Sequence, residues 1–334
     1  MYFVNIDAGT TNTRIYVWKG RAVIAEASRP VGVRDTAITG SKVALTGAVR
    51  EAIHEALTKA GLTVSSDVTF VASGMITSNV GLFELPHLVA PAGIAELAAG
   101  MVKADLPEVV ERPIWFIPGV RNANKPVTPE NCEAMDIMRG EETEAIGVIS
   151  HLNISGPAIV ALPGSHSKFV KINRDLRIDG CITTISGEML DVITQNTILA
   201  SSLDRKFSEE VDEKALIQGA QSCRDVGLAR SCFLVRILDI FSDMTLNQRA
   251  NFLFGAVLYS DIQALKNSKA LKIDENISLV VCGKRVLKQA LEILLKADRF
   301  FQGEIRAVPN SSVSLSGLGA LEIICFARMN SVKG

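Results

Sequence analysis

The sequence lacks the patterns that mark several common classes of protein. Nowhere do about 18 uncharged apolar residues follow one another, so we expect no transmembrane helix. The chain opens with a strand-like run, Tyr2–Ile6, without the basic and apolar regions of a signal peptide. No block of lysine and arginine occurs, and the net charge is −1. Nucleic acid and anionic membranes are therefore poor candidates for partners. We expect a cytoplasmic protein that acts on a small molecule.

The sequence also lacks the residue patterns of disulfide, zinc and P-loop sites. The six cysteines are scattered without a CxxC pair, which indicates reduced and mostly buried thiols. The four histidines form no i, i+3 or i, i+4 pair, so a zinc site has no basis in the sequence. The sequence GxxxxGK[ST] of a P-loop is absent. Without a Ser/His/Asp or metal constellation, hydrolysis that does not involve a nucleotide is also disfavoured.

An internal repeat is present instead. Three apolar runs separated by two polar turns begin near Phe3 and again near Ile159, about 155 positions later. Each copy predicts strand, tight turn, strand, turn and strand. A chain of 334 residues, 48% of them apolar, can bury two cores of this kind. The repeat therefore predicts two lobes of similar fold.

The segments after each repeat alternate between helical and strand patterns. Apolar positions at a period of 3.6 predict helices at Ser41–Ala60, Gly187–Leu199, Thr245–Leu265 and Lys284–Ala297. Buried strands are predicted between them, at Val68–Ser73, Ile114–Pro118 and Ile277–Cys282. Two stretches rich in proline and glycine, Pro86–Gly93 and Pro118–Pro129, are expected to be loops. The fold class is thus α/β, with mixed sheets flanked by helices.

The first turn of each repeat has the composition of a phosphate-binding loop. Glycine lets an oxyanion approach the backbone N–H groups, and hydroxyl or cationic side chains add donors. Asp7, at the end of the first strand, is placed to hold Mg²⁺ directly or through water. His166 has an alternative role as a hydrogen-bonded structural residue. The candidate phosphate ligands are Gly9, Thr10, Thr11, Asn12 and Arg14 in the first turn, and Gly164, Ser165, His166 and Lys168 in the second.

A candidate general base lies about twenty residues before the second turn. Transfer of a phosphoryl group to a hydroxyl needs a carboxylate near that hydroxyl. In Met138–Gly147, Gly140 is followed by two acids, as at the N-terminus of a helix. Glu141 is the first choice for the base and Glu142 the second. The alternative is that both acids simply stabilise the start of the helix.

Four stretches of the chain carry a family resemblance. They are Asp7–Arg14, Gly74–Gly81, Met138–Thr143 and Pro163–Lys168, followed by Ser186–Glu188. In this order they resemble the 2-keto-3-deoxygalactonate kinases, in the sugar-kinase branch of the actin/hexokinase superfamily. The similarity extends over nearly the whole chain. Residues Ala8, Leu82, Ser165 and Phe169 differ from those that the family tends to carry.

The resemblance implies two duplicated ribonuclease H-like (actin/hexokinase-type) lobes. Residues 1–138 with 317–334 would form the first lobe and residues 139–316 the second. It also implies ATP and Mg²⁺ as cofactors and phosphorylation of the 6-hydroxyl of 2-keto-3-deoxy-D-galactonate, in galactonate catabolism. The layout of glycerol and xylulose kinases, which it also resembles, would make Glu141 the base.

The resemblance further implies roles for individual residues around the cleft. Met75, Ser78 and Asn79 would lie in a substrate loop, and Gly283 would border adenine. A sugar acid needs a cation for its carboxylate, and Arg139 or Lys168 could supply it.

Three matters stay open. The substrate could be another sugar acid or a polyol, or the protein could be a nucleotide sensor without catalysis. The sequence is compatible with a homo-oligomer.

Overall fold

A computed structural model describes residues 2–123, 126–309 and 314–331 of the chain. The described strands are β1 (Tyr2–Ala8), β2 (Thr13–Lys19), β3 (Ala22–Arg29), β4 (Val68–Gly74), β5 (Leu88–Val89), β6 (Val102–Leu106), β7 (Val110–Phe116), β8 (Val120–Arg121), β9 (Ile137–Met138), β10 (Ala158–Leu162), β11 (Ser167–Ile172), β12 (Ile178–Thr184), β13 (Ser278–Val281) and β14 (Ile305–Ala307). The described α-helices are α1 (Val33–Thr39), α2 (Val43–Lys59), α3 (Ile94–Ala99), α4 (Glu141–Leu152), α5 (Ser186–Asn196), α6 (Glu213–Val226), α7 (Leu228–Phe241), α8 (Leu246–Asn267), α9 (Arg285–Ala297) and α10 (Leu315–Ser331).

Two mixed sheets repeat the same topology. In the first, the order is β3-β2-β1-β4-β7-β6, with β1, β2 and β3 antiparallel and β4 and β7 parallel to β1. In the second, the order is β12-β11-β10-β13-β14, with the same directions. The prediction of duplicated α/β lobes, each starting with three antiparallel strands, is confirmed.

Alternation along the strands separates the hydrophobic core into layers. Phe3 of β1 packs between the sheets, with residues of α4 and α10, whereas the adjacent Val4 packs against Leu45 of α2. In the second sheet, Val160 faces the central layer and Ile159 faces the layer of α6, α8 and α9. Because the central strands are covered on both faces, their sequences are nearly continuous apolar runs.

The two central helices cross at glycines. A Cβ atom at Gly147 of α4 would lie 2.0 Å from the carbonyl oxygen of Leu315, and one at Gly319 of α10 would lie 1.8 Å from that of Thr143. The two helix backbones are therefore in direct contact, which no larger residue would permit. Since α10 also packs on α3, β1 and β4, this crossing connects α4 to the first sheet.

A third, small sheet lies in the region that was expected to be loops. Strands β5 and β8 pair with each other, and β8 also pairs with β9 just before α4. The expectation of simple loops at Pro86–Gly93 and Pro118–Pro129 was therefore wrong for these strands. Two-residue strands leave no period-two pattern, so the sequence could not indicate them.

The helix crossing gives a first test. Replacing Gly319 by alanine should lower the free energy of unfolding by about 1–3 kcal/mol, because the added methyl group meets backbone atoms that cannot rotate away. Urea unfolding measures this change. The control is Gly47→Ala in α2, where a Cβ atom meets nothing within 4 Å, and which should gain about 0.5–1 kcal/mol. Equal stability of Gly319→Ala and the wild type would contradict the close crossing.

Candidate active site

A cleft of about 510 Å³ opens between the two sheets, beside the first turns of α4 and α10. Five of the residues predicted from the sequence line it, namely Asp7, Arg14, Arg139, Glu141 and Gly283. It is also lined by polar residues that the sequence analysis did not select, among them Tyr16, Glu144, Lys284, Arg285, Lys288 and Ser316. The other predicted residues, which lie outside the described lining, are Gly9, Thr10, Thr11, Asn12, Met75, Ser78, Asn79, Glu142, Gly164, Ser165, His166 and Lys168.

Asp7 lies at the point where three elements meet. Its Oδ2 atom is 4.0 Å from Nη1 of Arg14 and accepts a hydrogen bond of 3.4 Å from the hydroxyl of Ser316 in α10. A Cβ atom at Gly74, the last residue of β4, would lie 3.4 Å from Oδ1 of Asp7. Burial raises the pKa of Asp7, and the negative charge of Glu141 adds to this rise, against the opposing effects of Arg14 and Ser316.

Glu141 is the first residue of α4 and faces the cleft. It follows Gly140, whose φ of 111° suits glycine and whose Cα packs against Gly74. Oε2 of Glu141 accepts a hydrogen bond of 3.1 Å from the backbone N–H of Arg139. The helix start is therefore fixed against the end of β4, and the carboxylate lies on the same cleft wall as Asp7.

Glu142 has a different environment from Glu141. Its side chain is fully buried, and both carboxylate oxygens accept from the backbone N–H of Gly140, at 2.9 and 2.8 Å. Burial and then the charge of Glu141 raise the pKa of Glu142 to about 8. This position matches the alternative in which the acid stabilises the start of the helix. The geometry does not favour Glu142 as the base, the second choice from the sequence.

Glu144 lies one helical turn after Glu141 and lines the same cleft. Burial raises its pKa to about 7, and the charges of Glu141 and Asp7 contribute to that rise, whereas Arg14 opposes it. The signal in the sequence was the i, i+3 spacing of the two acids, which places both on one helix face. The cleft thus holds three carboxylates close enough to influence one another.

Arg139 connects the cleft wall to the segment after β4. Its guanidinium donates to Oγ1 of Thr77 at 2.9 Å and to the carbonyl oxygen of Leu85 at 2.6 Å, and it lies 3.4 Å from Nδ1 of His87. Burial lowers the pKa of Arg139. Burial, followed by the charge of Arg139, lowers the pKa of His87 to about 4, so this imidazole is neutral at physiological pH.

The predicted substrate loop starts with a single turn of 3₁₀-helix at Met75–Thr77. The hydroxyl of Ser78 is buried and donates to the carbonyl oxygen of Met75 at 2.7 Å, whereas Asn79 is exposed. The position of Ser78 indicates that its hydroxyl shapes the loop. This segment lies close to the cleft, because Arg139 donates to Thr77 and Gly74, directly before Met75, lies beside Asp7.

The first phosphate loop is held from behind by α1. The backbone N–H groups of Val33 and Arg34 donate to the carbonyl oxygens of Gly9 and Thr10, at 3.1 and 2.9 Å. Gly9 itself donates to the carbonyl oxygen of Asn12 at 2.9 Å, which closes the turn. With its carbonyl groups bonded from behind, the turn leaves the side chains of Thr10, Thr11 and Asn12 exposed to solvent.

The second phosphate loop lies between β10 and β11 and rests on the start of α5. The backbone N–H of Glu188 donates to the carbonyl oxygen of Ser165 at 3.0 Å, and Oε1 of Glu188 lies 3.4 Å from Nε2 of His166. Ser165 and His166 are exposed. A Cβ atom at Gly283 would lie 3.1 Å from the carbonyl oxygen of Pro163, so the cleft reaches the base of this loop.

Lys168 lies outside the described lining of the cleft and contacts protein groups. Its side chain is 7% exposed, and its ammonium group donates to the carbonyl oxygen of Ile137 at 2.7 Å and to the hydroxyl of Thr183, with Asp136 at 3.8 Å. These groups join β11 and β12 to β9. The ammonium group of Lys168 is thus held by protein groups, and its role as a ligand stays a prediction.

The positive charge of the cleft comes from residues at the start of α9. Lys284, Arg285 and Lys288 all line it, and Nζ of Lys288 donates to the carbonyl oxygen of Val308 at 2.5 Å. In the described part of the chain, no three histidine, cysteine, aspartate or glutamate side chains form a metal-binding group. No described helix is long and apolar enough to span a membrane.

Two sheets with the same order in their shared strands, a polar cleft between them and a carboxylate at the start of the central helix are the arrangement of an actin/hexokinase-type protein. The model of the family described as 2-keto-3-deoxy-galactonokinase matches residues 7–321. The chain belongs to this family.

Individual relatives agree with the family match. A Rhizobium meliloti (strain 1021) protein named probable 2-dehydro-3-deoxygalactonokinase DgoK1 is 30% identical over 203 residues, 60% of this chain and 59% of that protein. The 2-dehydro-3-deoxygalactonokinase of Escherichia coli (strain K12) is 22% identical over 320 residues, 92% of this chain and 98% of that protein. A crystal structure named as a 2-dehydro-3-deoxygalactonokinase from Sinorhizobium meliloti superposes with a TM-score of 0.73 at 24% identity, covering 99% of both chains. This last likeness shows the fold.

The buried carboxyl of Glu142 gives a test of the helix start. Because its pKa is about 8 in the folded protein and near 4.5 when unfolded, its stabilisation is complete below about pH 4.5 and is lost as the pH rises through 8. Glu142→Gln keeps an acceptor for Gly140 but does not ionise. Its free energy of unfolding, relative to the wild type, should rise between about pH 5 and pH 8.

Denaturant unfolding at several pH values measures this difference. The matched control is Glu213→Gln, which removes an exposed acid from the first turn of α6 and should follow the wild type. A Glu142→Gln curve parallel to that of the wild type would show that Glu142 is not buried as a neutral group.

Proposed function

We propose that this protein transfers the γ-phosphoryl group of ATP to the 6-hydroxyl of 2-keto-3-deoxy-D-galactonate, a step of galactonate catabolism. One observation carries the proposal: Glu141 faces the cleft at the start of α4, beside Asp7 and Arg14. The geometry supports the type of reaction, and the family and its named relatives support the substrate.

The nucleotide phosphates would lie between the two loops. The turns Gly9–Asn12 and Gly164–His166 offer backbone N–H groups, and Arg14, Lys284 and Arg285 add positive charge at the cleft. Gly283 would border the adenine. His166 would contact phosphate only if the nucleotide displaces its interaction with Glu188.

The acidic part of the cleft fits Mg²⁺ as the companion of ATP. The pKa of Asp7 is raised by burial and by Glu141, so a cation there would offset an unfavourable concentration of negative charge. Asp7 would hold the ion directly or through water, and Glu144 would contribute from the same wall. When bound, the ion would neutralise charge on the transferring phosphoryl group.

Glu141 would act as the general base. Its carboxylate would accept the proton of the substrate hydroxyl, whose oxygen forms a bond to the γ-phosphorus. The bond between that phosphorus and the oxygen bridging to the β-phosphate breaks, which releases ADP. Glu141 needs no covalent intermediate for this step, because the loops and cations stabilise the developing charge.

The sugar acid would bind on the side of β4. Arg139 lines the cleft, and its guanidinium donates hydrogen bonds to Thr77 and Leu85. Because a guanidinium has five N–H donors, others remain for the carboxylate of the substrate. Met75, Ser78 and Asn79 complete the proposed substrate side. Ser78 would contribute through its oxygen lone pairs, since its proton is donated to Met75.

The two lobes would close on the bound substrates. We assign residues 1–138 with 317–334 to the first lobe and residues 139–316 to the second, so that α4 and α10 cross at the boundary. Closure would exclude water and suppress hydrolysis of ATP. We also infer a cytoplasmic location, because ATP and Mg²⁺ are available there.

An ADP-release assay with Mg-ATP tests the activity directly. The panel should hold 2-keto-3-deoxygalactonate, other 2-keto-3-deoxyaldonates, aldonates and polyols. We expect turnover with 2-keto-3-deoxygalactonate at a kcat/KM at least about tenfold above any other member, the ratio for 1.4 kcal/mol of transition-state discrimination. Turnover with another member of the panel would show that the protein is a kinase with a different substrate. ATP binding without turnover on the whole panel would contradict the proposal.

Replacing Glu141 by glutamine tests the base. Losing a general base should lower kcat roughly 10²–10⁴-fold, with little change in the KM for ATP, because the isosteric amide keeps its place on the cleft wall. Glu142→Gln, whose side chain lies outside the described cleft lining, should retain turnover. A Glu141→Gln enzyme with near wild-type kcat would rule out the role.

A further inference from the structure

A carboxylate is buried behind the second phosphate loop, without an ion-pair partner among the residues that the structure describes. Asp261 lies in α8 and is 1% exposed, and neither of its oxygens has a hydrogen-bonding partner in the described part of the chain. Burial raises its pKa, and the hydroxyls of Ser186, Thr184 and Ser167 oppose this rise. A buried, uncompensated carboxylate is costly, so its presence in a core helix requires an explanation.

The three hydroxyls beside Asp261 form a chain. Oγ of Ser186 lies 2.8 Å from Oγ of Ser167 and 3.3 Å from Oγ1 of Thr184, and Ser167 and Ser186 are buried. Three hydroxyls carry three protons, and the two contacts within the chain use two of them. One O–H group is left to donate, and the Asp261 carboxylate is the acceptor beside it.

This chain joins the two segments that hold the second phosphate loop. Ser167 is the first residue after the loop, and Ser186 starts α5, on which the loop rests. The contact with α5 is close, because a Cβ atom at Gly187 would lie 2.1 Å from the carbonyl oxygen of Gly164. Any change in the distance between Ser167 and Ser186 would therefore change the shape of the loop.

We propose that Asp261 is a positioning residue for the second phosphate loop, which it holds in its nucleotide-binding shape through the hydroxyls of Ser167 and Ser186. Ser186 is the first residue of α5, and the N-terminus of a helix favours a negative charge nearby. A metal cation bound to Asp261 instead of the hydroxyl protons would interact unfavourably with the same helix N-terminus. The proposal rests on the proposed function, since it assumes that this loop binds the phosphates of ATP.

The test compares Asp261→Asn with the wild type in steady-state kinetics and in direct binding of ADP by calorimetry. We expect the KM for ATP and the Kd for ADP to rise about tenfold, or about 1.4 kcal/mol, because a neutral amide oxygen is a weaker acceptor than a carboxylate and the amide adds N–H donors beside hydroxyls that already lack an acceptor. The KM for the sugar acid should stay within about twofold. Ser186→Ala should have the same effect, and the double variant should not add to it.

The control is Asn251→Ala, in the same helix. Asn251 is also buried and donates to Ser208 and to the carbonyl oxygen of Glu210, away from the loop. This variant should lower Tm without changing the KM for ATP. If Asp261→Asn lowers Tm in the same way and leaves ATP and ADP affinity unchanged, Asp261 is only structural and the proposal is overturned. If Asp261→Asn does not fold, additive effects of Ser186→Ala and Ser167→Ala on the KM for ATP would overturn it.

A failure of the proposed function gives a different result from a failure of this inference. If the wild type binds ADP but phosphorylates no sugar acid, the ADP affinities still decide the role of Asp261. If the wild type is an active kinase and the Asp261→Asn enzyme has the same affinity for both nucleotides, only the inference fails.

Discussion

The contact between α4 and α10 is the constraint on which the active site depends. At Gly147 and Gly319 the two helix backbones touch, and this contact fixes the direction of both helices at their first turns. Those turns carry Glu141 on one side and Ser316 on the other, and Ser316 donates to Asp7 at the end of β1. A crossing of two helix backbones beside the cleft therefore sets the position of the proposed base relative to the proposed metal ligand. It also explains why glycine is needed inside these two helices, where it would otherwise cost stability.

The electrostatics of the cleft follow from the same arrangement. Asp7, Glu141 and Glu144 share one wall, and burial raises the pKa values of Asp7 and Glu144 because neither is fully compensated by Arg14. Lys284, Arg285 and Lys288, at the start of α9, give the same cleft a cationic part. A ligand that carries both a divalent cation and several phosphates pairs with the acidic and the cationic parts at once, whereas a neutral ligand pairs with neither. The distribution of charge thus favours a metal–nucleotide complex before any particular contact is considered.

Much of this arrangement was predictable from the sequence, because it rests on local patterns. The repeated strand–turn–strand units, the helix at Glu141 and the turn at Gly9–Asn12 each leave a signal within about ten residues. The contacts of Lys168 could not be predicted because they depend on a distant partner: its ammonium group donates to the carbonyl oxygen of Ile137 in β9. Strands β5 and β8 were missed because they are too short to show alternation. Glu144 was overlooked although its spacing from Glu141 was visible, because its importance follows only from which face of α4 meets the cleft.

The two phosphate loops show how duplicated lobes can differ in their supports. The first loop is held by backbone donors, from Val33 and Arg34 of α1 to the carbonyl groups of Gly9 and Thr10. These donors are backbone groups, so no side chain makes the support, but it needs glycine at position 32, where a Cβ atom would lie 2.4 Å from the carbonyl oxygen of Thr10. The second loop rests on α5 through one backbone bond and on a chain of side-chain hydroxyls next to a buried carboxylate. In the role proposed for Asp261, the geometry of this loop depends on residues outside the described lining of the cleft.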